Sequence, residues 1–151
     1  MAKIRPEIQE LKDYIPGKTP KELGIIKLAS NENPFGPSPK ALAAMAQSAK
    51  SLHIYPDQKS TLLKEALAKQ LGLSTDNVIV GNGSDDIMQI AAATFLNPGE
   101  EAIIPKNTFS LYEFVCRIMG GKPVFVDLKD LVQDLLQMQK SINEKTKIIF
   151  L

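Results

Sequence analysis

The run Gly81-Asn82-Gly83-Ser84-Asp85 carries the strongest chemical signal in this sequence of 151 residues. It separates Val78-Ile79-Val80, which reads as a strand, from a helical pattern that follows. Glycines at such a junction let the backbone turn tightly and approach a ligand closely. The first amides of a helix lack a carbonyl partner within it, and the helix dipole adds partial positive charge there. A phosphate fits that place, helped by the Ser84 hydroxyl. The same residues also make a plain strand-to-helix turn capped by Gly83 or Ser84, in which Asp85 and Asp86 suit the first turn without any ligand. Those two acids would repel a phosphate unless they point away from it. The run lacks the third glycine of a dinucleotide fingerprint and the Gly-Lys-Ser/Thr of a triphosphate loop.

Two further segments could serve a site. Thr108-Phe109-Ser110-Leu111-Tyr112 lies just past a strand end, where open α/β sheets place ligands. An aromatic ring there can stack on a flat cofactor, or simply begin a helix. Leu28 to Gly36, dense in Asn, Pro and Gly, has no core pattern and reads as a loop. His53 has no second ligand at metal spacing, and Cys116 falls on a helix face with Tyr112, Val115 and Met119, as a packed thiol does. No Ser/His/Asp set can be assembled, so no metal and no catalytic residue is assigned.

The elements that must position these residues follow from periodicity. Residues 1–35 form an arm with a short helix near Pro6–Leu11 and a short strand near Ile25–Leu28. Ser38-Pro39 is a cap and first-turn pair for a helix carrying Leu42, Met45, Ala46 and Ala49. Leu63, Leu67 and Leu71 line a second helix, stopped by Gly72. After the strand at 78–80 comes a helix with Ile87, Ile90, Ala91, Thr94 and Phe95 inward, ended by Asn97-Pro98-Gly99. Strands at 102–105, 124–126 and 147–151 then alternate with helices at 109–119 and 130–142. That alternation predicts an α/β fold with a mostly parallel sheet and flanking helices. The apolar run at 147–151 predicts a buried strand, and hence a chain that continues beyond it.

Composition sets the class. Hydrophobic residues are 44% and charged residues 23%, and 18 Lys+Arg against 17 Asp+Glu leave a formal charge of +1. Such a balance gives no electrostatic case for nucleic acid or a membrane surface. No apolar stretch approaches a transmembrane length, no signal peptide is visible, and a single cysteine suits a reducing compartment, so a cytoplasmic location is expected.

Taken in order, these segments resemble the histidinol-phosphate aminotransferases of the fold-type I pyridoxal-phosphate (PLP) enzymes. The resemblance rests on Tyr14-Ile15-Pro16-Gly17-Lys18, Leu28 to Gly36 with its Asn31-Glu32-Asn33-Pro34, Tyr55-Pro56-Asp57, Gly81 to Asp86, Asn97 to Glu101, and Thr108 to Tyr112. It implies an N-terminal arm over 1–35 and the first part of the PLP-binding large domain over 36–151. It also implies roles. Gly83 and the amides of Ser84 and Asp85 would hold the PLP phosphate, and Phe109 would stack on the pyridine ring. Tyr55 would reach the phosphate in the other subunit of a homodimer. Tyr14 would help enclose the substrate, with Asn31 and Glu32 near its path. The implied reaction moves an amino group between histidinol phosphate and 2-oxoglutarate, in histidine biosynthesis. The alternatives are an aromatic aminotransferase, a threonine-phosphate decarboxylase or a non-catalytic phosphate-binding module. The family's cofactor-binding lysine, the Asp that pairs with the pyridine nitrogen and the substrate-binding Arg residues fall after the stretch that these 151 residues match, so this chain by itself is expected to be inactive and loosely folded.

Overall fold

A computed structural model describes residues 3–9, 11, 24–28 and 30–151. The chain divides into two compact units, one of Met1–Tyr14 with Ile79–Leu151, the other of Ile15–Val78.

The second unit is built on two helices. Helix α2, Pro39–Ser48, begins as its sequence predicts: the Ser38 hydroxyl accepts the Ala41 N–H at 3.1 Å and Pro39 sits in the first turn. Its apolar face stays uncovered, with Leu42 and Met45 exposed. Helix α3, Thr61–Leu71, ends at Gly72 in the left-handed region (φ 67°), and Ala68 is its buried residue. A single turn of 3₁₀ helix over Thr75–Asn77 follows, closed by reciprocal bonding between Ser74 and Asn77. The expected strand near Ile25–Leu28 does not form. Those residues pair with no strand among the described residues, and Ile26 and Leu28 are exposed. An apolar β-rich run becomes a strand only when a partner satisfies its backbone.

The other unit contains short helix α1 (Pro6–Gln9), helix α4 (Gly83–Phe95), strand β1 (Glu101–Pro105), helix α5 (Leu111–Ile118) and strand β2 (Lys122–Val126). Strands β3 (Leu128–Lys129) and β4 (Val132–Gln133), helix α6 (Leu135–Lys140) and strand β5 (Thr146–Ile149) complete it. The main sheet has the order β2-β1-β5, all parallel, with Ile103 opposite Val124 on one side and Ile149 on the other. Successive side chains of β1 point to opposite faces. Ala102 and Ile104 pack with Leu96 and Cys116 on one face, joined by Tyr112, Met119, Ile148 and Phe150. Ile103 packs with Val126 and Met138 on the other. Both faces are thus covered, as the continuous apolar strands predict. Burial pushes the Cys116 thiol up to about 11, which makes it a packed, unreactive group.

Three expectations are corrected here. Val78 has extended backbone, yet 78–80 pairs with no strand among the described residues and Ile79 is exposed. In α4 the buried position is Ala92, followed by Leu96, while Thr94 and Phe95 face outward. The segment 130–142 is not one helix. Asp130 and Leu131, both with positive φ, form the two-residue turn of the antiparallel β3–β4 hairpin. Asp134 then caps the shorter α6 by accepting the Gln137 N–H at 2.9 Å. Among the described residues no helix is long and apolar enough to cross a membrane.

Both outer edges of the sheet, on β2 and β5, are unpaired among the described residues, and Phe125 and Ile149 are 41% exposed. Open edges flanked by apolar side chains favour association and loose packing. Purified residues 1–151 should therefore bind a hydrophobic dye and unfold over a broad temperature range. A sharp calorimetric transition from a monodisperse sample would contradict this.

Candidate functional site

The loop before α4 is shaped by one acidic side chain. Asn82, at the helix cap, has no side-chain capping bond of its own. Its backbone N–H instead donates to Asp86 Oδ2 at 2.8 Å, from one turn into the helix. The Asp86 carboxylate therefore folds back over the start of the loop. Gly81 makes this possible: a Cβ there would lie 2.8 Å from Ile87 Cδ1 and 2.9 Å from Asp86 Oδ2. Gly83 has φ 82°, a left-handed value, and open space where a Cβ would stand. Its N–H donates to the Gly81 carbonyl at 2.9 Å, which tightens the turn. Ser84 and Asp85 are exposed in the first helical turn, with the Ser84 hydroxyl directed toward Asp85 Oδ1 at 3.4 Å.

The Asp86 carboxylate is thus directed back at the loop and keeps its charge, while Asp85 stays beside the Ser84 hydroxyl in the first turn. Asp86 is occupied with the Asn82 amide, and both acids are favourable to the helix dipole. The amides of Ser84 and Asp85 lack a partner inside the helix, and Gly83 beside them leaves open space where a Cβ would stand. Unpartnered amides at a helix start are the kind of donor that can bind an anion.

Phe109 belongs to the same unit, in the loop that leaves the carboxyl end of β1. Asn107 takes a positive φ of 56° to turn that loop, and the Lys106 N–H donates to the Val126 carbonyl at 2.8 Å. Lys106 also pairs with Asp127 at 2.8 Å. The Phe109 ring is 42% exposed, so one part of it is available to a ligand. Its other neighbour is Tyr112, edge to face, with centroids 5.9 Å apart.

Asn31, Glu32 and Tyr55 lie in the other unit. Ser30 and Asn31 both have positive φ and form a tight turn, and Glu32 is ion-paired with Lys27. The Tyr55 hydroxyl accepts a bond from Gln58 Nε2 at 3.3 Å, and the ring is exposed. Tyr14 lies outside the described residues. Asp57 has a structural role that reading the sequence alone missed. Its two oxygens accept the Lys59 N–H at 2.9 Å and the Thr61 N–H at 2.8 Å. They thereby cap α3, whose own cap residue Ser60 makes no side-chain bond. The signal was an Asp four residues before the helical run, following Pro56. Among the described residues no cluster of three or more His, Cys, Asp or Glu could hold a metal.

A sequence profile described as "Aminotransferase class I and II" matches residues 24–151. The chain belongs to that family. It is 43% identical, over 98% of its length, to the histidinol-phosphate aminotransferase of Moorella thermoacetica, of which it covers 40%. It is 37% identical to the Methanothermobacter thermautotrophicus enzyme of the same name, covering 44% of it. Among solved structures it resembles the Sinorhizobium meliloti histidinol-phosphate aminotransferase in complex with pyridoxal-5'-phosphate. That match has a TM-score of 0.79 and 24% identity, over 96% of this chain and 40% of the other. The α/β fold, with its parallel sheet and flanking helices, is thereby the aminotransferase fold. The chain spans about two fifths of the length of these relatives.

Two outcomes follow. Gly81→Ala pushes the Asp86 carboxylate off the Asn82 amide and should cost about 1 kcal/mol, the scale of a lost helix cap, read by denaturant unfolding of the full-length polypeptide. Asp57 has its pKa lowered from 3.8 by the Thr61 hydroxyl, then by the Thr61 and Lys59 amides. Its ionised form therefore stabilises the fold above pH 3.8, and that contribution is lost as pH falls through the lower folded-state value. The stability gap between wild type and Asp57→Asn should shrink on acidification below pH 3.8; a gap independent of pH would contradict this.

Proposed function

We propose that the full-length polypeptide carrying this chain is a PLP-dependent aminotransferase that exchanges the amino group between histidinol phosphate and 2-oxoglutarate, with glutamate as the partner amino acid. The observation that carries this is similarity over nearly the whole chain to histidinol-phosphate aminotransferases, at 37–43% identity in the two relatives above. In this reading residues 1–35 are an arm and residues 36–151 the first part of the PLP-binding domain. The enzyme acts as a homodimer in the cytoplasm.

The residues fit the cofactor. Gly83 leaves open space beside the first turn of α4, where Ser84 and Asp85 offer their amides to the phosphate. Phe109, at the carboxyl end of β1, covers one face of the pyridine ring. Tyr55 reaches the phosphate of the other subunit. Tyr14, Asn31 and Glu32 line the substrate's path. When bound, PLP supplies an electron sink for the amino acid's α-carbon. This chain's contribution is to hold the phosphate, fix the ring plane and close part of the substrate wall. The covalent lysine, and hence turnover, belongs to the rest of the polypeptide.

Steady-state assays of the full-length enzyme test this. Activity with histidinol phosphate should exceed that with phenylalanine by roughly tenfold or more in kcat/KM, and residues 1–151 alone should show none. A preference for phenylalanine would reassign the substrate. Turnover by residues 1–151 alone would remove the assigned division of labour.

A further inference from the structure

Phe109 must present a flat face to a ligand while remaining 42% exposed. An exposed aromatic side chain can occupy several staggered wells, and one of them has to be selected. The selecting contact comes from the first turn of α5. Tyr112 lies three residues on, its N–H donating to the Phe109 carbonyl at 3.2 Å. The two rings meet at 85°, an edge-to-face pair. Tyr112 is in turn stacked on Phe150, with centroids 4.4 Å apart and planes 13° from parallel. Phe150 follows β5, and its N–H donates to the Ile103 carbonyl at 3.0 Å, which ties it to the central strand. Both Tyr112 and Phe150 pack against the buried cluster of Leu96, Ala102, Ile104 and Cys116. A chain of three rings thus runs from the core of the sheet to its carboxyl edge.

We propose that Tyr112 is a positioning residue for Phe109: braced by Phe150, it fixes the plane of the Phe109 ring, and so the face offered to a flat heteroaromatic cofactor. This rests on the reading of Phe109 as the ring that stacks on PLP. Tyr112 acts through Phe109 and does not itself touch the cofactor. Its ring, rather than its hydroxyl, carries the effect, because edge-to-face and stacked contacts depend on the aromatic plane and quadrupole.

The test uses the full-length holoenzyme, with PLP titrated into the apo form and the visible circular dichroism of bound PLP as a second readout. Tyr112→Leu should raise the PLP dissociation constant about three- to tenfold and weaken the dichroic band. Tyr112→Phe, which keeps the ring, should restore both to near wild type. In a Phe109→Leu background, Tyr112→Leu should add no further loss, since the two act as one unit. Phe150→Leu, which removes only the brace, should shift the band in the same direction and keeps the test open if Tyr112→Leu does not fold. The proposal is overturned if Tyr112→Leu or Phe150→Leu binds PLP with unchanged affinity and dichroism while Phe109→Leu does not. A full additional loss in the double variant, or a Tyr112→Phe as impaired as Tyr112→Leu, also overturns it. If Phe109→Leu itself leaves both readouts unchanged, the stacking role of Phe109 fails instead.

Discussion

The α/β unit depends on strand β1. Its backbone is paired with β2 on one side and β5 on the other, and Ala102 to Pro105 are buried. Leu96, just past α4, and helix α5 contribute to the cluster on one face, and α6 contributes Met138 to the other. Each fully buried aliphatic side chain contributes roughly 1.5–3 kcal/mol. The site's two halves hang from this strand. The chain that enters it carries α4 and the proposed phosphate cradle. The chain that leaves it carries Phe109. In the proposed reading one ligand would reach both, at the carboxyl side of the strands where parallel α/β sheets bind.

At the cradle the governing constraint is steric before it is electrostatic. Gly81 has no Cβ, so Asp86 can fold back and satisfy the Asn82 amide. The first turn of α4 keeps amides without partners in the helix, and its two aspartates suit the positive end of the dipole. At the ring site the constraint is aromatic. Phe150 and Tyr112 pack against the core, and Tyr112 and the exposed Phe109 form a T-shaped pair.

Much of this was legible in the sequence wherever the determining interaction is local. Ser38-Pro39 and Gly72 set the ends of α2 and α3 because caps act within four residues. The alternation of strands and helices after residue 78 pointed to the α/β class, and Gly81–Asp85 stood out as a candidate phosphate site or a plain strand-to-helix turn. Phe109 stood out as a candidate from its place after a strand, where a ring can equally begin a helix. The roles of Tyr14 and Tyr55 came only from family resemblance, since nothing in their local pattern points to a ligand.

The sequence by itself determined caps, turns and the order of elements, because these follow from bonds and periodicities spanning a few residues. It also contained the hairpin at Leu128–Gln133 and the Asp57 cap, in turn and cap residues that helical periodicity overshadowed. Tertiary structure alone decided which apolar runs become strands. Ile103 gained partners on both sides, whereas 25–28 and 78–80 found none among the described residues, and a strand exists only where another backbone satisfies its polar groups. Tertiary structure also decided which ring stacks on Tyr112, because Phe150 is brought to it only by the pairing of β5 with β1.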